Sequence, residues 1–139
     1  MDNPNLPKVV PIRPKMRRLY GSGTMLIPAP RDVDAFIRTV RKGRVVSVTE
    51  IRRYLAGKYS ADVTCPLTTG IFVRIAAEAA EEAAREGAVR ITPYWRVVKD
   101  DGSLNPKFPG GVDAQAERLR EEGHVIDASR KVSRVVMEQ

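Results

Sequence analysis

The chain has 139 residues, 42% apolar and 29% charged, with a net charge of +7, which suits one soluble domain with a real core and points to a polyanionic partner, nucleic acid first. One cysteine, Cys65, and one histidine, His124, exclude an internal disulfide and a His/Cys metal cluster, so no metal and no cofactor are expected. The longest uncharged run, the twelve residues Leu19 to Pro30, falls short of the roughly 20 apolar residues of a membrane span, and a cytoplasmic protein with no membrane partner is expected.

Residues 1–24 read as a basic, proline-rich flexible arm. Pro4, Pro7, Pro11 and Pro14 disfavour helix and central strand. Lys8, Arg13, Lys15, Arg17 and Arg18 face one acid, Asp2, and Gly21-Ser22-Gly23 reads as a joint. Such an arm either lies along phosphates or stays a solvated tail.

A first helix is predicted near Arg31 to Arg41, where Val33, Phe36, Ile37 and Val40 form one apolar stripe. A second, short helix starts at the Ser47/Glu50 capping box, turns Ile51 and Leu55 inward, and stops at Gly57. Arg52 and Arg53 then point outward. A long third helix runs from about Cys65 to Glu86 with Ile71, Ile75 and Ala79 on one face. Its first half, Pro66 to Arg74, is small and hydroxylated; its second half carries Glu78, Glu81 and Glu82. Tyr94 to Lys99 is strand-like and the Asp-Gly turn at Asp101-Gly102 signals a hairpin. A helix from about Asp113 to Glu122 follows the loop Asn105 to Gly111, and residues 128–139 hold a final strand or tail.

Short helix, tight link, longer helix and hairpin are the order of a winged helix-turn-helix. The predicted fold is therefore mainly α with a small β-hairpin, a winged helix-turn-helix DNA-binding domain over residues 25–127. Eight basic residues against four acidic ones lie between Arg31 and Asp62. Arg52, Arg53, Leu67, Thr68, Thr69 and Arg74 are the candidate DNA-binding residues, with backbone N–H groups at the start of the third helix favouring phosphate.

Thr92-Pro93-Tyr94-Trp95-Arg96-Val97-Val98, then Asp101-Gly102, Phe108-Pro109-Gly110-Gly111 and Glu122-Gly123, resemble the active-site segment of the alkylguanine-DNA alkyltransferases. That family reads Pro-Cys-His-Arg-Val, Asp-Gly, Tyr-x-Gly-Gly and Glu-Gly at similar spacing. Gly43-Arg44-Val45-Val46-Ser47 with Glu50, and Gly70, resemble its upstream helix-turn-helix, so the likeness covers about residues 28–126. The resemblance implies that Tyr94 stands at the acceptor cysteine and Trp95 at the activating histidine, with the relay glutamate near Ala116. It implies no enzyme, as in the alkyltransferase-like proteins, which lack that cysteine and bind alkylated DNA. Tyr94 and Trp95 then mark the lesion pocket. The intercalating Arg aligns with Leu67, and the Tyr that presses the target phosphate aligns with Val48.

The expected function is a non-enzymatic DNA-binding protein sensing alkylated double-stranded DNA, with repair or transcription proteins as further partners. The alternatives are a winged-helix transcriptional regulator and a protein-interaction module. Neither a phosphate-binding glycine loop nor a plausible nucleophile–histidine–acid set stands in the sequence.

Overall fold

The computed structural model describes residues 4–129 and 131–136. Residues 1–3 of the expected arm, and 130 and 137–139 of the expected tail, lie outside the described residues. The described residues form five α-helices and seven short strands in three small sheets, a mixed α/β fold where a mainly α one with a single hairpin was expected.

The arm differs most from expectation. Lys8–Pro11 is a strand, β1, paired antiparallel with β2, Thr24–Ile27, in register Lys8↔Ile27 through Pro11↔Thr24. Pro11 is tolerated because β1 is an edge strand. Pro14 opens a 3-10 turn, Pro14–Met16, that runs into a single helical turn, α1, Arg17–Tyr20. Residues 8–20 are therefore built structure, in correction of the flexible-arm reading. Asp62 fastens the far end of this hairpin, accepting from Thr24 N at 2.9 Å and Thr24 Oγ1 at 3.1 Å.

Helix α2, Pro30–Arg38, has no side-chain acceptor at its cap residue, Ala29. Buried Asp32 supplies one instead, taking Ala29 N at 3.0 Å and the Tyr59 hydroxyl at 2.5 Å. That hydrogen bond, with burial, pushes the Tyr59 phenol up to about 12. Val33 and Ile37 are buried as the stripe predicts. Helix α3, Val48–Lys58, starts at the expected box: Ser47 Oγ accepts from Glu50 N at 3.1 Å and Glu50 Oε1 from Ser47 N at 3.4 Å. It runs through Gly57 to Lys58, and the chain turns instead at Ser60, φ 55°.

Two residues, Val46–Ser47, form β3, and Val63–Thr64 form β4, which lies parallel to β2. Helix α4 follows at once, Pro66–Arg85, with proline in its first turn. Its buried face is Thr69, Val73, Ala76, Ala77 and Ala80; Ile71 and Ala79 are exposed. Alanines and a threonine, rather than the larger isoleucines, admit α2 and α3 at close range.

The expected hairpin at Tyr94 is replaced by a 3-10 turn, Tyr94–Arg96, and a strand, β5, Val97–Val98, parallel to β3. The antiparallel hairpin lies further on, where β6, Ile126–Asp127, pairs with β7, Arg134–Val135. Ser103 adds one bridge to Arg134. The Asp-Gly turn thus returns the chain toward β7 rather than along β5. One core joins the layers, with Leu26, Val33, Ile37, Ile51, Leu55, Val73, Val97, Leu104, Phe108 and Leu119 all buried. No helix among the described residues is long and apolar enough to cross a membrane.

Gly110 and Gly111 enter the last helix, α5, Gly111–Glu121, at φ 78° and 72°, a region costly for L side chains. A Cβ on Gly110 would sit 2.5 Å from the Ala114 Cβ. Gly110→Ala is expected to lower stability by about 2 kcal/mol, seen as a fall of several degrees in the thermal midpoint. A midpoint within one degree of the parent, taking about one degree as error, would refute the strain.

Candidate nucleic-acid interface

The turn that the sequence singled out is held from α5 and its C-terminal end. Buried Gln115 donates through Nε2 to Trp95 O at 3.1 Å and Val97 O at 3.0 Å, while its Oε1 accepts from Asn105 N at 2.8 Å. Glu122 accepts from Arg96 Nε and Nη2 at 2.9 and 2.7 Å and from Trp95 Nε1 at 3.1 Å. Arg96 Nη1 reaches on to Val40 O at 2.7 Å. Burial alone would raise the Glu122 carboxyl, but the Arg96 and Trp95 donors outweigh it and hold the group below its ordinary value.

Tyr94 is buried, with its ring edge-on to Trp95 and Phe108 at 5.3 Å each. Its hydroxyl donates to Glu81, which also holds Arg118 at 2.9 Å. Burial first, then the Glu81 hydrogen bond, push this phenol well above its usual value. Tyr94 therefore does not line an open lesion pocket, in correction of that expectation: its own ring fills the space. Trp95 is also buried, with the Arg118 guanidinium 4.2 Å and the Arg96 guanidinium 5.6 Å from its ring centroid. It borders a groove of about 930 Å³.

The candidate DNA residues divide into two groups. Leu67 is 73% exposed and heads an outward stripe of α4 with Gly70, Ile71 (38% exposed) and half-buried Arg74. Arg53 of α3 is exposed, and neither it nor Arg74 has a salt-bridge partner among the described residues. Thr68 is half-buried and donates to Cys65 Sγ at 3.1 Å. Thr69 is fully buried and donates to Cys65 O at 2.7 Å, so it faces the core, in correction of its assignment to DNA. Arg52 is half-buried, with Nε donating to Thr64 O at 3.0 Å and Thr64 Oγ1 donating back to Arg52 O at 2.7 Å. It ties α3 to β4.

Sequence reasoning missed Tyr54, 53% exposed on α3 and tilted against Phe36 at 4.8 Å. It also missed Gln115 and Arg118, although the position next to Gln115 had been assigned to the relay glutamate. An amide in a helix that follows a Gly-Gly loop was the available signal.

No protein-family model matches the chain, and no curated protein matches its sequence. The solved structures supply a similarity of fold. The chain is similar to Atl1 of S. pombe, solved in complex with damaged DNA containing O6-carboxymethylguanine, with a TM-score of 0.51 and 20% identity over 77% of this chain and 87% of that one.

Glu122 gives this site a pH signature. Its lowered folded pKa contributes stability that is present above the ordinary carboxylate value and lost as pH falls through the folded value. Glu122→Gln should cost about 3 kcal/mol at pH 7, because Arg96 stays nearly buried without its partner. Urea melts across pH should show parent and variant converging in acid; a constant difference down to strongly acid pH would exclude the ion pair as its source.

Proposed function

We propose that this chain is a non-enzymatic, cytoplasmic DNA-binding protein that senses alkylated duplex DNA through the α3–α4 helix pair. The carrying observation is the outward stripe of α4, apolar and small at its N-terminal half, in a fold shared with a protein held on alkylated DNA. In this reading α3 and α4 form a helix-turn-helix with β6–β7 as its wing. Arg53, Thr68 and Arg74 meet the phosphates, and Leu67 presents an apolar wedge where the resembling family carries an intercalating arginine. Exposed Glu78 and Glu82 confine contact to the first turns of α4.

Gly70 supports the reading. A glycine inside an exposed helix face is less stable than alanine by about 1 kcal/mol, and a Cβ here would meet nothing within 4 Å. Packing therefore gives no reason for it, whereas close approach of a ligand does.

Tyr94 supports the absence of alkyl transfer. A phenol pushed up by burial and by Glu81 stays protonated at neutral pH and offers no nucleophilic anion. The same packing favours a second reading, a transcriptional regulator indifferent to lesions, because a flipped base has to displace the Tyr94 ring from between Trp95 and Phe108. Repair or transcription proteins are the corresponding partners.

Fluorescence anisotropy on a duplex with and without one O6-alkylguanine decides between the readings. Tighter binding of the lesion duplex supports sensing, equal binding supports the regulator, and no binding to either removes both. Gly70→Ala should raise the thermal midpoint and weaken duplex binding together; unchanged affinity would take the stripe out of the interface. Incubation with labelled alkylguanine DNA should leave the protein mass unchanged, and an adduct on Tyr94 or Cys65 would overturn the non-enzymatic reading. Arg13, Lys15, Arg17 and Arg18 are all exposed on the β1–β2 connection. If they contact phosphates, alanine at Arg17 and Arg18 should flatten the log–log salt slope by about 0.9 per lost contact; an unaltered slope would make the segment a bystander.

A further inference from the structure

The groove beside Trp95 lies away from the α4 stripe. Arg38 lines it from the end of α2 and Lys42 from the loop beyond, Ala84 lines it from the end of α4, and the segment that follows adds Ala88, Val89, Arg90, Ile91 and Pro93. Ala84 stands about 25 Å along the helix from Leu67 at 1.5 Å per residue. Exposed Glu78 and Glu82 lie on α4 between these positions, and exposed Glu86 caps its end.

Five cations and no carboxylate line the groove; Glu121 and Glu122 line the smaller depression that adjoins it at Lys42, Trp95 and Arg118. Three are already balanced from behind: Arg38 by Asp34, Arg96 by Glu122 and Arg118 by Glu81. Lys42 and Arg90 are exposed and have no salt-bridge partner among the described residues. The remaining wall is apolar, and Val89 is 98% exposed. An occupant must therefore bring negative charge to Lys42 and Arg90 and an apolar side chain to Ala84, Ala88 and Ile91. A duplex backbone brings charge alone and leaves the apolar wall uncovered.

We propose that this groove is a docking site for an acidic peptide segment of a partner protein, with carboxylates on Lys42 and Arg90 and apolar residues against the Ala84–Pro93 wall. It is separate from the DNA face, so protein and DNA can be held together. The proposal does not depend on DNA binding.

Trp95 is the one tryptophan of the chain and edges the groove, so its emission reports occupancy. The test titrates the whole protein with a short synthetic peptide alternating glutamate and leucine. A polyglutamate peptide, a lysine–leucine peptide and a single-stranded oligothymidylate serve as comparisons. The glutamate–leucine peptide should bind tightest and shift the tryptophan emission. K42E/R90E should weaken it at least about tenfold, as two attractions become repulsions, while circular dichroism and the salt slope of duplex binding stay as in the parent. Absence of peptide binding, binding that survives K42E/R90E, or preference for polyglutamate or the oligonucleotide would each overturn the proposal. So would a flattened duplex salt slope, which would make the groove part of a nucleic-acid surface.

Discussion

The Glu122 carboxylate is the point on which the arrangement turns. It holds two donors of Arg96 and the indole N–H of Trp95, and Arg96 carries the connection to Val40 at the end of the first helical layer. With Gln115 taking the Trp95 and Val97 carbonyls, the end of α5 fixes both the conformation and the position of the 3-10 turn. A nearly buried ion pair adds little net stability, and removing one partner is far more damaging than replacing both. With these bonds made, Tyr94 lies inside and Trp95 borders the groove.

Elements with a local signal were legible. The Ser47–Glu50 box starts α3 where it was expected, because capping is settled within four residues. The Val33/Ile37 stripe is buried, because large β-branched residues at helical spacing have one apolar face. The misread strands concern long-range partners. Lys8–Pro11 has no periodicity and becomes a strand only because β2 offers it an edge. β5 was taken for half of a hairpin, since nothing nearby announces that its partner is Val46–Ser47. The buried side of α4 was not legible, because alanine carries little hydrophobic signal, yet it decides how closely helices approach.

The candidate interface was legible in outline and misassigned in detail. Leu67 and Arg53 are exposed, whereas Thr69 lies one position round the helix and faces inward. Residue type alone could not separate Thr68 from Thr69, and a single helical step of about 100° did so. Arg52 and Arg53 were separated in the same way: one fastens α3 to β4 and the other faces solvent. Around Tyr94 the motif did not disclose how the position is filled, because a phenol that reaches Glu81 occupies volume that a thiol would leave open.

The parallel pairing of β3 with β5 also governs the order in which the molecule assembles during synthesis. Val46 and Val97 are partners across 51 residues, a loop whose closure costs entropy before any contact compensates it. While the chain emerges from a ribosome, the Ser47 box can form α3 locally, but the strand that leads into it has no neighbour until Val97 and Val98 appear. β2 is served sooner, with β1 already made and β4 following α3. The nascent chain therefore completes its N-terminal sheet first and holds the α3 entry open, to be closed by the segment that carries Tyr94, Trp95 and Arg96.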